Sequence, residues 1–224
     1  MAATVGGTVA QLLLGQGLTV LGREAERAPR SASPRPDWPD AQLVEAFRGT
    51  GCSEAYEILV RRHQSRVFRL ILASLGPGHA AEAEEIAQEV FAAVFLRLSS
   101  LRQGESFESW LNQMAYRKAV DHRRTPRFHR PHEGEEALAR LPAGDRQADP
   151  LERLAREQEG RLLATAIEGL AEPQPAILRL HYWLGWSVEA IANAIDVPAG
   201  TVKSHLFRAR QRLHAALSHT RSAG

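Results

Sequence analysis

The feature that most constrains this chain is a break in its pattern. From Pro126 to Pro150 prolines and glycines recur with no sustained apolar period, while the residues on either side repeat their apolar positions at helical spacing. Such a stretch reads as a linker between packed parts. A chain of 224 residues parted there is left with two small domains. Strand-type alternation is almost absent, so both are expected to be built of helices. The expected fold is therefore all-α: two small helical domains joined by a flexible linker. That linker is acidic, since the stretch from Pro131 to Gly160 holds eight Asp and Glu against four Arg, a net of −4.

Residues 1–39 hold glycines, prolines and the basic stretch Arg27 to Arg35 around a short apolar patch, a composition that does not pack a core alone. They read as a mobile N-terminal extension. From Asp40 the character changes: Leu43, Val44 and Phe47, then Tyr56, Leu59, Val60, His63, Val67, Leu70 and Ile71, predict two helices. After the break Gly76-Pro77-Gly78, Ala80 to Leu98 is free of glycine and proline and rich in alanine and glutamate, as a third helix should be. A loop from Ser99 to Ser106 leads to a fourth helix from Phe107 to Arg124, stopped by Pro126. Residues 40–125 form the first domain and 126–150 the linker. Residues 151–219 form the second domain, with helices expected over Leu151 to Leu170, Gln174 to Trp183, Ser187 to Ile195 and Pro198 to His219.

The strongest local signal is WSVEAIANAIDVPAGTVKSHLFRARQRL, from Trp186 to Leu213. Ser187 is a fitting N-cap, and Asp196-Val197-Pro198 makes a short turn into a second helix with proline near its start. This is helix-turn-helix spacing. With Val202 at zero and about 100° per residue, Leu206, Ala209 and Leu213 fall within about 40° of it and face a core. The opposite half shows Lys203, Ser204, Phe207, Arg208 and Gln211, following Thr201, with Arg210 and Arg212 on the flanks. No acidic residue interrupts this face. Lysine and arginine supply phosphate contacts, while serine, glutamine and arginine supply base-edge partners, so the face suits duplex DNA.

A second constellation lies between Phe107 and Arg130, where Arg117, Lys118, Arg123, Arg124, Arg127 and Arg130 outweigh Glu108 and Asp121. Phe107, Trp110, Leu111 and Met114 gather on one side of the helix. The other shows Ser109, Asn112, Gln113, Tyr116, Val120 and Arg123, an aromatic ring among amides and cations, which suits unstacked bases and the strand that carries them. The third constellation is AEEIAQEVFAAVFLRL, Ala83 to Leu98, apolar over most of its circumference after an acidic start. A helix of that kind needs burial on more than one side, in a core or against a partner.

Other classes fall away. The overall charge is only +2, so the nucleic-acid signal comes from clustering and not from net charge. The single cysteine, Cys52, can form no internal disulfide and cannot build a thiolate metal site. His122, His129 and His132 lie close together at the linker edge, but no acidic or cysteine partner stands at ligand spacing, so no metal and no cofactor is expected. No Gly-rich phosphate loop or nucleophile motif points to an enzyme. No apolar run approaches a membrane span, and the stretch Gln11 to Leu21 lacks the basic segment of a secretion signal, so a cytoplasmic protein is expected.

The three constellations, in this order and spacing, resemble the extracytoplasmic-function class of bacterial sigma factors over Asp40 to about Leu217. AEEIAQEVF resembles the family helix that docks on the clamp helices of the largest subunit of core RNA polymerase, which implies polymerase contacts for Glu85, Gln88 and Glu89. FESWLNQMAYRKAVDHRR resembles the helix that melts and reads the downstream, minus-ten promoter element, implying DNA contacts for Asn112, Gln113, Tyr116, Arg117, Arg123 and Arg124. SSLRQGESF resembles the loop that holds a flipped base. This chain carries Leu101 where many members have an aromatic, and Arg117 where many have asparagine. PAGTVKSHLFRARQRL resembles the recognition helix for the upstream, minus-thirty-five element, which assigns Thr201, Lys203, Ser204, Phe207, Arg208 and Gln211 to it. The resemblance implies a non-enzymatic initiation factor whose partners are core polymerase, promoter DNA and an anti-sigma factor. The acidic linker fits the family habit of threading this segment through the RNA exit channel. The alternative, a helix-turn-helix activator of the response-regulator type, would end alike but would lack the Ala83 to Arg124 block.

Overall fold

The computed structural model describes residues 33–102, 104–125 and 160–222, and every regular element within them is a helix. The chain parts into two compact units. Among the described residues, one holds 33–71 together with 82–102 and 104–118, and the other holds Leu72–Ala81 together with 119–125 and 160–222. The whole expected linker, 126–150, residues 1–32 of the N-terminal extension and residues 151–159 of the helix expected over Leu151 to Leu170 lie outside the described residues, and with the linker Arg127, His129, Arg130 and His132.

In the first unit, α1 (Asp40–Thr50) begins at the residue where the sequence changes character and buries Leu43 and Val44. It ends at Gly51, whose φ of 67° is the left-handed cap that glycine adopts without strain, with its N–H donating to the Phe47 carbonyl at 2.8 Å. The start is pinned from the next helix, α2 (Ser53–Leu75). Arg62 of α2 donates to Asp40 Oδ1 and to the carbonyls of Pro36 and Trp38, and buried His63 lies 2.8 Å from Asp40 Oδ2. Burial alone would raise the Asp40 carboxyl, but His63 and Arg62 outweigh it and hold the group below its ordinary value.

The third helix, α3 (Ala80–Arg97), buries Ala83, Ile86, Ala87, Val90, Phe91 and Val94, a stripe at three-to-four spacing. Tyr56 of α2 fixes it in place. Its hydroxyl donates to the Phe91 carbonyl at 2.5 Å, and its ring meets those of Phe47 and Phe95 at 5.6 and 5.2 Å between centroids. Burial pushes the Tyr56 hydroxyl upward, so it stays a neutral donor. A 3-10 turn, Leu98–Ser100, leads through a loop to α4 (Phe107–Arg123). Leu43, Leu59, Phe91, Leu98 and Leu111 are fully buried here, so the core draws on all four helices and the turn.

In the second unit a helix over 160–168, α5, precedes α6 (Gln174–Leu178). The sequence predicts one continuous helix from Gln174 to Trp183. The structure replaces its second half with a π-type turn, Arg179–Trp183, closed by the Leu184 N–H donating to the Arg179 carbonyl at 3.2 Å. Helical periodicity does not distinguish a four-residue from a five-residue hydrogen-bond step over so short a run. The wider turn leaves Arg179 and Leu180 buried and exposes Tyr182 and Trp183. Next come α7 (Val188–Ile195) and α8 (Ala199–Ser222). Ile177, Leu180, Ile191 and Leu206 are fully buried, so α6, the π turn, α7 and α8 share one core.

Candidate nucleic-acid interface

The α7–α8 pair is assembled by local chemistry. The Ser187 hydroxyl accepts from the Ala190 N–H at 3.0 Å, the N-cap the sequence predicts. Asp196 turns the chain with φ 58°, a conformation that Asp tolerates better than most residues, and the Val197 N–H donates back to the Ala192 carbonyl at 3.0 Å. Pro198 stands just ahead of α8, and its carbonyl accepts from Thr201 at 2.9 Å. Two helices joined by so short a turn keep α8 on the surface along most of its length.

Val202, Leu206 and Ala209 are buried, as the helical projection predicts, while Leu213 is half-buried. Lys203, Ser204, Phe207, Arg208 and Gln211 are exposed and Thr201 is half-buried at the start of the helix. Phe207 is 60% exposed, a large apolar surface on the face that carries the cations. The Ser204 hydroxyl donates to the Gly200 carbonyl at 3.0 Å and keeps its oxygen's acceptor capacity. Behind this face His205 is half-buried. Burial and the charge of Arg208 both lower its pKa, which keeps the ring neutral. A face that combines cations, a hydroxyl, an amide and an aromatic can hold phosphates and read base edges together.

On α4 the sequence and the structure agree on one side and differ on the other. Phe107 and Leu111 are buried as core, and Trp110 and Met114 are half-buried. Arg117 and Arg124 are exposed, and Gln113 and Tyr116 are half-buried. Asn112, expected on the outward face, is 4% exposed, and its Oδ1 finds no hydrogen-bond partner among the described residues. Leu101, expected in a base-holding loop, is likewise 4% exposed. Neither side chain stands on the surface in this conformation. A helical projection says which way a residue points on its own helix, and tertiary packing then covers some of those directions. Leu101 does line an open cavity of about 450 Å³ with Asp40, Val44, Arg48, Glu105 and Phe107. Arg123 is engaged: it donates to the Ser74 carbonyl at 2.9 Å and pairs with Glu172. Neither partner is legible in the sequence pattern, nor is Arg179, whose charge acts on the same carboxylate.

On α3, Glu85, Gln88 and Glu89 are exposed opposite the buried stripe. Glu89 pairs with Lys118 at 2.7 Å. Leu96, 78% exposed, extends the same side toward the C-terminal end of the helix. Among the described residues, no group of three or more His, Cys, Asp and Glu is placed to hold a metal ion, and no helix is long and apolar enough to cross a membrane.

These elements define a helical protein whose second unit carries a helix-turn-helix in which the outer face of α8 is basic and free of acidic residues. Comparison with known proteins takes the class further. The model for Sigma-70 region 2 matches residues 59–128, and that for Sigma-70, region 4 matches residues 160–213. The RNA polymerase sigma-H factor of Pseudomonas aeruginosa is 30% identical over 190 residues, covering 80% of this chain and 93% of that one. The ECF RNA polymerase sigma-E factor of Escherichia coli is 28% identical over 179 residues, covering 78% of this chain and 92% of its own. The solved structure of CnrH in complex with the cytosolic domain of CnrY shares the fold, with a TM-score of 0.54 at 20% identity over 81% of this chain and 99% of that one. The chain belongs to the sigma-70 family of RNA polymerase sigma factors, in the extracytoplasmic-function class, which is not an enzyme family. It is a promoter-recognising sigma factor, and its partners are core RNA polymerase and promoter DNA. The response-regulator alternative has no support in these matches.

Proposed function

We propose a division of labour along the chain, carried out in the cytoplasm and without catalytic chemistry. Residues 40–125 dock on core polymerase through Glu85, Gln88 and Glu89 of α3. They handle the downstream element through α4, with Gln113, Tyr116, Arg117, Arg123 and Arg124 facing the DNA and Asn112 supporting them from within. Leu101, beside the open cavity, shapes the loop that receives an unstacked base. Residues 151–219 read the upstream element through Thr201, Lys203, Ser204, Phe207, Arg208 and Gln211, and residues 126–150 link the two parts.

The observation that carries this reading is the outer face of α8. A helix that exposes Lys203, Arg208 and Phe207 together, behind a capped α7 and with no carboxylate of its own, has no packing role for those side chains. An anti-sigma factor is the further partner we propose. The solved relative CnrH was determined in complex with a second protein, the cytosolic domain of CnrY. The test is to add the purified chain to core polymerase and map RNA starts on genomic DNA. Initiation at a defined set of sites that share an upstream and a downstream element is expected. Starts identical to those of core polymerase alone would overturn the proposal.

A further inference from the structure

The C-terminal end of α2 is capped by side chains from elsewhere in the second unit. A helix leaves its last four carbonyls without intrahelical partners, and cations are favoured at that end. Here the Gly76 N–H donates to the Leu72 carbonyl at 2.8 Å, Arg179 donates to that of Ala73 at 3.1 Å, and Arg123 donates to that of Ser74 at 2.9 Å. Each arginine is matched to a carboxylate as well, Arg179 to Glu168 and Arg123 to Glu172. The packing is close at Gly76. At its φ of 111°, a Cβ would lie 3.3 Å from Glu168 Oε1 and 3.5 Å from Arg179 Nη2.

The two ion pairs differ in a way that matters. Arg179 is 4% exposed, so its pair with Glu168 is structural. The carboxylates are alike, 44% exposed in Glu168 and 50% in Glu172, but the Arg123 side chain is 20% exposed where that of Arg179 is 5%, so solvent and other anions reach the guanidinium of Arg123 more readily. An arginine presents the same forked donors to a carboxylate and to a phosphate.

We infer that Glu172 is a positioning residue: its carboxylate occupies the guanidinium of Arg123 where a DNA phosphate would otherwise pair, and so sets how readily α4 engages nucleic acid. This rests on the proposed placing of Arg123 at the DNA. Engagement then exchanges one anion for another, and the gain from the phosphate is reduced by the loss of the carboxylate. Burial raises the Glu172 carboxyl above its ordinary value, with Arg123 and Arg179 pulling it back, which fits a carboxylate that depends on its arginines.

The test is a double-mutant cycle on the full chain, reading binding to a labelled duplex by anisotropy over a range of salt. Glu172→Gln keeps the shape and removes the charge. It is expected to tighten binding about two- to fivefold at low salt, the range for a partly exposed ion pair. It should also steepen the log-log salt slope by about 0.9, the signature of one added phosphate contact. In an Arg123→Ala background the same substitution should change neither quantity. Glu172→Asp, which keeps the charge, should behave as wild type, and Glu189→Gln on α7 controls for the loss of a negative charge elsewhere. Thermal melts verify that each variant is folded, and Glu172→Ala serves in place of Glu172→Gln if the latter is not. An equal gain in the Arg123→Ala background, or no gain in a folded variant, would overturn the inference. If Arg123→Ala weakens promoter binding by the holoenzyme while Glu172→Gln does nothing, only the role of Glu172 fails. If Arg123→Ala leaves promoter binding untouched, the placing of Arg123 at the DNA fails with it.

Discussion

Removing one cation from the outer face of α8 should be read out as a change in salt dependence. Lys203 and Arg208 are exposed there, and no carboxylate on α8 competes for them. If each neutralises one phosphate, each contributes about 0.9 to the slope of log affinity against log salt. Between about 50 and about 200 mM salt, a fourfold change, one contact fewer makes the loss of affinity about 3.5-fold smaller, and two fewer make it about twelvefold smaller. Lys203→Ala, Arg208→Ala and the double variant should therefore step down in slope, at unchanged affinity for core polymerase. Phe207→Ala carries no charge change and should lower affinity for the cognate upstream element while leaving the slope alone. The assay is anisotropy of a labelled promoter duplex titrated with reconstituted holoenzyme at a series of salt concentrations. Slopes equal to wild type for both charge variants, with the variants folded, would refute the assignment of α8 to phosphate contacts.

Three further outcomes follow from the packing and the proposed roles. Tyr56→Phe removes the bond to the Phe91 carbonyl inside the core and should cost about 1 to 2 kcal/mol, read as a lowered melting temperature with little change in helicity. Asp40 is held below the ordinary carboxylate value in the fold, so the stability it contributes is present above that ordinary value and lost as pH falls through the lowered one. Asp40→Asn should be less stable than wild type at neutral pH, and the gap should close on acidification in a series of denaturant melts. Tyr116→Ala should impair open-complex formation more than closed-complex binding, by roughly 1 to 3 kcal/mol per base stacked. Permanganate footprints on duplex and on a promoter pre-melted across the minus-ten element check it: an equal defect on both templates assigns the ring to strand capture, full rescue to nucleation of melting, and no defect on either would remove Tyr116 from the site.

The parts of this molecule written in local chemistry could be read from the sequence alone. Ser187, Asp196 and Pro198 set the cap, the turn and the entry of the next helix within a dozen residues, so α7 and α8 follow the expected pattern almost residue for residue. The face of α8 follows too, because its buried stripe of Val202, Leu206 and Ala209 leaves the other directions open. Periodicity failed where a neighbour decides. It placed Asn112 on the outward face of α4, and the resemblance placed Leu101 in a base-holding loop, yet both side chains are buried. It could not give Arg123 its partners either, because Ser74 and Glu172 lie far from it along the chain. The π turn after Leu178, which buries Arg179 and Leu180, escaped because helical periodicity does not separate a four-residue from a five-residue hydrogen-bond step over so short a run.

The division of labour between α4 and α8 is tested most directly by site-specific photocrosslinking in the holoenzyme–promoter complex, with the probe placed in turn at Lys203 and at Arg117. The probe at Lys203 should label DNA only within the upstream, minus-thirty-five element, and the probe at Arg117 should label only the downstream, minus-ten element. Adducts from both positions in one element, or in the reverse order along the promoter, would contradict the proposed division.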